Sequence, residues 1–377
     1  MKRVGMVDLG WQHEQLRKTL EPKLLEVLRS GRYIGGEAVA AFEAEFAAFH
    51  GVGPGNVCSC ANGSDALYLA LRALGIKKGD DVVTVPNSFV ATAHAIERCG
   101  AHTLFVDVDP ELHTMRVDLL HKVVTSATRA ILPVHLYGHP VDMGPLLEFA
   151  SDRGLEVVED CAQACGAEWT GRPVGTLGAA GCFSFFPTKT LGAAGDGGMV
   201  ICRDEEASAR VMSLAHQGFV KVKNNALEVG VNSRLDAIQA VILSEKLKVL
   251  NDWNERRRAI ARIYSAELAG LPWLTLPREA SWGHHVYHLY VVQVDTSKDV
   301  AARDTLRSKL FAAGIDTQVH YQRLIPEQRP YVNRGTLQRS LAAADALVDR
   351  VVSLPIYPGM TAVDAIRVCQ AIKGAKP

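Results

Sequence analysis

The chain has 377 residues, 48% of them hydrophobic and 22% charged, a globular balance that excludes a disordered or fibrous protein. At that length folding can bury about three-quarters of the surface the unfolded chain exposes, so no disulfide is needed to hold a core. Lys plus Arg and Asp plus Glu each number 41, so no global field draws the chain to nucleic acid or an anionic membrane, and any bound anion must be held locally.

Along the chain, the opening residues Met1, Lys2 and Arg3 are not followed by a long apolar run, so the start does not read as a signal peptide. No stretch approaches the length of a membrane span, and the expected compartment is the cytoplasm. Helix formers over 11–30 end at Ser30 and Gly31. Val39, Phe42, Phe46 and Phe49 follow at the spacing of an amphipathic helix. Between Val82 and Val200 six short apolar runs alternate with helical stretches: 81–86, 103–108, 130–135, 155–159, 182–186 and 198–202. Continuous apolar strands separated by helices predict a mainly parallel sheet covered on both faces. Ligands of such sheets sit outside the carboxyl ends of the strands. From Leu235 to about Leu268 the pattern is one helical region, broken near Leu250, Asn251 and Asp252. Beyond Pro272 and Pro277 come a strand-like run over 286–294 and a helix-like run over 301–313. The fold class is therefore α/β, with a large domain over 1–250 and a smaller α+β domain over 251–377.

Cys58, Cys60, Cys99, Cys161, Cys165, Cys182, Cys202 and Cys369 lack the paired short spacing of a zinc site. They read as small buried residues in a reducing compartment. His284, His285 and His288 have a helical metal-ligand look, but Val286–Val292 reads as a strand, so they are taken as strand-edge histidines and no metal is expected.

Four segments fall where a parallel-sheet enzyme keeps its site. Gly63, Ser64 and Asp65 open a helix, where free N–H groups and the positive dipole end suit a phosphate, although a plain N-cap would look the same. Asp160 ends an apolar strand and is costly to bury unless a cation meets it; capping the next helix is its bland role. Lys189 leaves an apolar strand for a Gly-rich loop, surroundings that depress an amine's pKa and free it as nucleophile or base. Phe89 follows the first strand, where its ring could stack on a planar ligand or fill core. Together these are the parts of a pyridoxal phosphate site: a lysine, a carboxylate for the pyridinium nitrogen, a phosphate cradle and a flat surface.

These residues bring the chain to a known family. It resembles the DegT/DnrJ/StrS aminotransferases, fold-type I enzymes that aminate nucleotide-linked keto-sugars. The resemblance runs over Tyr33-Ile-Gly-Gly-Glu37, Asn62-Gly-Ser-Asp-Ala-Leu67, Pro86-Asn-Ser-Phe-Val-Ala-Thr92, Glu159-Asp-Cys-Ala-Gln-Ala-Cys-Gly-Ala167, Ser184-Phe-Phe-Pro-Thr-Lys189, Gly195-Asp-Gly-Gly198, Gly230-Val-Asn-Ser-Arg-Leu-Asp236 and Val319-His-Tyr321. It implies a mainly parallel seven-stranded sheet and pyridoxal 5'-phosphate as cofactor. By the same resemblance Lys189 is the Schiff-base lysine, Asp160 the pyridinium partner, Gln163 a neighbour of the ring and Phe89 its stacking surface. Gly63, Ser64 and Ser184 form the phosphate cradle. Asn232 reaches the phosphate of the neighbouring subunit, which implies a homodimer with shared sites. Two positions depart from the family's usual pattern: Cys165 stands where it often has His, and Pro326 replaces a histidine near the sugar end.

The expected activity is transfer of an amino group from L-glutamate to a nucleotide-diphosphate keto-sugar. The Asn232–Asp236 motif resembles the C-3 aminating branch more than the C-4 branch. A sugar dehydratase is the alternative enzyme, but those relatives carry histidine where Lys189 stands. A non-catalytic regulator is the other alternative, and no basic cluster or helix-turn-helix pattern supports it. Lys221, Lys223 and Arg323 are candidate diphosphate contacts.

Overall fold

A computed structural model describes residues 3–219, 225–332 and 341–376. Seven strands form the main sheet, in the order Val57–Cys60, Gly198–Cys202, Ala180–Ser184, Glu156–Asp160, Thr128–Ile131, Asp81–Thr84 and His102–Phe105. Gly198–Cys202 runs antiparallel to both its neighbours, and the other strands share one direction. The apolar runs are buried on both faces, as the lack of alternation requires. Val57–Cys60 was not among the expected strands. Its Cys-Ser-Cys sequence carries little β-propensity of its own, and its pairing with Gly198–Cys202 makes it a strand.

The helix Glu37–His50 packs its apolar stripe on this sheet. Phe46 meets Phe183 edge-on with ring centroids 5.1 Å apart, and Phe42 meets Phe185 at 5.4 Å. Phe49, at the end of the stripe, is only half-buried. The helix Gly63–Ala73 covers the sheet with Leu67, Leu69, Ala70 and Leu71.

The long helical region breaks at Lys248 and Val249, between Ala237–Leu247 and Leu250–Leu268. A second, antiparallel sheet follows, in the order Leu274–Thr275, Tyr290–Val294 and Val351–Leu354. The strand over 286–294 is thus shorter than expected. Residues before Tyr290 bond elsewhere: the Val286 N–H donates to the Gly138 carbonyl and the Leu289 N–H to that of Tyr137. Tyr264, Tyr290, Leu306, Leu310, Val352 and Cys369 fill the core between this sheet and the helices Leu250–Leu268, Ala302–Ala312 and Ala362–Gly374. Val4 joins the same core and pairs with Ile315, so the start of the chain packs with its last third.

All eight cysteines are buried and free. Among the described residues no helix is long and apolar enough to cross a membrane.

Candidate active site

A cavity of about 760 Å³ opens at the carboxyl ends of Glu156–Asp160 and Ala180–Ser184. Gly63, Ser64, Phe89, Asp160, Gln163, Ser184 and Lys189 all line it. Seven of the eight site residues expected from sequence therefore meet in one space.

Asp160 is the last residue of its strand and 4% exposed. Its Oδ2 accepts from the Thr92 hydroxyl at 2.9 Å and its Oδ1 from the Ala162 N–H at 3.1 Å. Because the Thr92 hydroxyl spends its hydrogen on Asp160, the Ser88 hydroxyl, 2.9 Å from that of Thr92, donates to Thr92 in turn. No Lys or Arg of the described residues pairs directly with it. Burial raises its pKa, against the two hydrogen bonds and the charge of Lys189. The site thus holds a carboxylate in want of a cation.

Lys189 sits in a turn in which its N–H donates to the Phe186 carbonyl at 2.8 Å. Burial lowers the pKa of its amine to about 8, with the Asp160 charge pulling the other way. That environment excludes a snorkelling surface lysine. The loop beyond Lys189 is pinned to the helix Ala237–Leu247: the Ala194 N–H donates to Gln239 Oε1 at 2.9 Å and Lys246 Nζ to the Gly192 carbonyl at 2.6 Å.

Asn62 caps the helix Gly63–Ala73 by accepting from the Asp65 N–H at 2.8 Å. The N–H groups of Gly63 and Ser64, ahead of that bond, take no acceptor from the described residues, and both residues line the cavity. Ser184 closes against them. A Cβ on Gly63 would lie 2.5 Å from the Cβ of Ser184, so only glycine admits this approach. Phe89 is 56% exposed and lines the cavity, so it does not serve as core. Gln163 accepts from the Tyr137 N–H at 2.7 Å and donates to the Tyr321 hydroxyl at 3.0 Å, which fixes its amide. The Tyr137 hydroxyl donates to the His320 carbonyl.

The C-terminal third adds Arg257, His288, Gln318, His320 and Ile356 to the wall. The sequence reading missed Arg257 and took His288 as a strand-edge residue. His288 is buried, its pKa held well below the usual imidazole range by burial and then by the charges of Lys189 and Arg257. Burial likewise lowers His320 to about 4.

Asn232 is exposed and does not line its own chain's cavity. Lys221 and Lys223 lie outside the described residues. Arg323 is exposed and away from the cavity wall, and Pro326 is buried in the turn Ile325–Glu327. His135, Glu159 and Cys161 bring ligand atoms within 4.8 Å of one another. Two of the three are already engaged, because Glu159 accepts from His135 Nε2 and from the N–H groups of Gly175, Leu177 and Gly178, while His135 Nδ1 accepts from the Val141 N–H. That network braces the strand that carries Asp160.

Known proteins resemble the chain in sequence and in fold. A UDP-N-acetyl-3-dehydro-alpha-D-glucosamine 3-aminotransferase of Acidithiobacillus ferrooxidans is 40% identical over 98% of this chain and 97% of its own length. A dTDP-3-amino-3,4,6-trideoxy-alpha-D-glucose transaminase of Streptomyces venezuelae is 40% identical over 98% of this chain and 96% of its own. The crystal structure of S. venezuelae DesV in complex with a ketimine intermediate superposes over 100% of both chains with a TM-score of 0.94 at 40% identity. Residues 14–373 match the DegT/DnrJ/EryC1/StrS aminotransferase family. With the sheet, the half-buried lysine and the acid at its strand end, that match settles the kinship: the chain belongs to the DegT/DnrJ/EryC1/StrS aminotransferase family.

Proposed function

We propose that the chain transfers an amino group from L-glutamate to ring carbon 3 of a nucleotide-diphosphate keto-sugar, with pyridoxal 5'-phosphate as cofactor. The observation that carries this reading is the meeting of Lys189, Asp160 and the unpaired N–H groups of Gly63 and Ser64 in one cavity. The names of the two relatives, both transaminases of 3-amino or 3-keto nucleotide sugars, support the carbon and the substrate class.

The residues present fit the cofactor. Helix N–H groups and the Ser184 hydroxyl suit its phosphate, and the carboxylate of Asp160 suits a protonated ring nitrogen. Bound there, the group supplies an electron sink for negative charge at the amine-bearing carbon. The protein's own part is proton handling and placement. Asp160 keeps the ring nitrogen's proton in place. Lys189 would hold the cofactor at rest and, once freed, would take a proton from the donor's α-carbon in the first half-reaction and, in the second, deliver one to the sugar carbon that receives the amine. Phe89 offers the ring a face, and Gln163, fixed by Tyr137 and Tyr321, holds its edge. Asn232 supplies the phosphate contact of a partner subunit, in a homodimer with shared sites. A cytoplasmic setting is supported by eight free, buried thiols.

Incubation of the purified, cofactor-loaded protein with L-glutamate and a panel of nucleotide keto-sugars tests the reading. We expect 2-oxoglutarate to form in step with a 3-amino sugar. If no 3-keto sugar is aminated while a 4-keto sugar is, the ring carbon is wrong. If glutamate is never consumed, the activity is wrong.

A further inference from the structure

The helix Leu250–Leu268 brings a guanidinium into the cavity without a counter-ion. Arg257 is 2% exposed and shares the cavity wall with Lys189 and Asp160. Its neighbours in sequence are paired, Arg256 with Asp252 at 2.8 Å and Arg258 with Glu279 at 2.6 Å. Arg257 is not: no carboxylate of the described residues pairs with it. Its Nη1 donates to the Ile356 carbonyl at 2.9 Å, while its Nε is buried with no partner. The edge made by Nε and Nη2 is therefore unused.

Burial lowers its pKa only to about 10, so the group stays cationic at neutral pH. A buried cation without an anion is costly, and folds seldom carry one without a use. The nearby wall does not relieve it. Burial holds His288 and His320 neutral, and His288 keeps an unpartnered Nδ1. His320 spends its Nδ1 on Ser353 Oγ at 2.7 Å. The acids of the cavity are Asp160, already hydrogen-bonded to Thr92 and Ala162, and Asp196.

We infer that Arg257 seats a carboxylate of the amino donor through its unused Nε and Nη2 edge. The inference rests on the aminotransferase reading above. A planar guanidinium edge matches the two oxygens of a carboxylate. An amino acid carries its α-carboxylate on the same carbon as the amine. Bringing that amine to Lys189 brings the carboxylate into the same buried space. A nucleotide diphosphate lies further from the reacting ketone and is bulky and hydrated, so a fully buried single cation suits it less.

The test uses wild type, Arg257→Gln and Arg257→Lys, each loaded with pyridoxal phosphate, with loading checked by absorbance and folding by melting. Each is titrated calorimetrically with glutarate, a dicarboxylate that has no amine and cannot react. Loss of one charge-assisted pair should weaken glutarate binding about 10- to 100-fold in Arg257→Gln, with part of the affinity kept by Arg257→Lys. The L-glutamate concentration giving half the maximal half-reaction rate should rise by a similar factor, while the rate at which the aminated enzyme reacts with keto-sugar changes less than about threefold. L-norvaline, with an α-carboxylate alone, assigns the oxygen pair: equal loss with both donors points to the α-carboxylate, loss with glutamate only to the side chain. Undiminished glutarate binding in Arg257→Gln overturns the proposal, as does a wild type that binds no glutarate. Should Arg257→Gln fail to load, unchanged glutarate binding in Arg257→Lys overturns it instead. Arg257-dependent glutarate binding in a protein inert to glutamate would sink the aminotransferase reading, leaving Arg257 a carboxylate seat but overturning its assignment to an amino donor.

Discussion

At the scale of single residues, Lys189 and Asp160 are each moved toward the neutral form by burial, and chemistry uses the two shifts differently. For Lys189 the ammonium is disfavoured, so its proton leaves near pH 8. The neutral amine is the form that attacks a carbonyl, so covalent loading of the apo-protein with pyridoxal phosphate should quicken as pH rises and level off above pH about 8. At pH 7 about a tenth of such amines are free, roughly 300-fold more than for a lysine at its ordinary value. A loading rate, followed by absorbance, that still climbs steeply at pH 10 would contradict the assignment. Asp160 acts the other way, since a bound pyridinium would supply the cation it lacks. Asp160→Asn keeps the shape but gives up a charge-assisted hydrogen bond worth roughly 1.5–3 kcal/mol. We expect the glutamate half-reaction, read by stopped flow, to slow at least about tenfold, because about 1.4 kcal/mol is a factor of ten. An unchanged rate would return Asp160 to the role of helix cap.

At the scale of elements, the cradle depends on how closely the helix Gly63–Ala73 approaches the strand Ala180–Ser184. Gly63→Ala puts a Cβ 2.5 Å from Ser184 Cβ and 3.1 Å from its Cα, and a backbone atom of a central strand cannot swing away. Overpacking of this kind costs about 1–3 kcal/mol. We expect Gly63→Ala to lower the melting temperature of the apo-protein and, by forcing the helix start outward, to weaken cofactor binding in equilibrium dialysis. Ser64→Ala should weaken binding without the stability loss; equal melting of the two variants would mean the contact is looser than described. Much of this element-level arrangement was readable in the sequence. A short strand-like run around Val157 and Val158 that ends in acids marks Asp160, and an apolar run that stops at Pro-Thr-Lys marks Lys189, because strands covered on both faces carry such runs. The direction of Gly198–Cys202 was not readable, since pairing with two neighbours sets it and local sequence does not. Val57–Cys60 hid for the same reason. Arg257 was hidden by Arg256 and Arg258, which make the stretch look like a solvated face. Its position was legible in the helical period: Trp253, Arg257, Ile260, Tyr264 and Leu268 recur at steps of four, three, four and four, and all are buried.

At the scale of the whole molecule, the place of Asn232 decides whether a site is built from one chain or two. Its backbone is fixed beside its own chain's cradle, because the Ser233 hydroxyl accepts from the Ala61 N–H at 3.0 Å and donates to Asp65 at 2.8 Å. Yet Asn232 itself is exposed and absent from that cavity's wall. In the same segment Leu227 and Val229 are bare to solvent, as is Ile34, which bridges to Asp236. Such side chains are what a second copy of the chain would cover. If Asn232 serves the partner's cofactor phosphate, each site draws Lys189 from one chain and Asn232 from the other. Chains carrying Lys189→Ala and chains carrying Asn232→Asp, which sets a negative charge against the phosphate, should each be inactive alone. In a mixed dimer one site collects both defects and the other neither. Random pairing makes about half the dimers mixed with one intact site each, so roughly a quarter of wild-type activity should return. Unfolding and refolding the two variants together, then measuring glutamate-dependent turnover, provides the check. If Asn232 served its own chain, every site in a mixed dimer would carry one defect. Absence of recovered activity, with dimers verified by sizing, would then exclude the shared site.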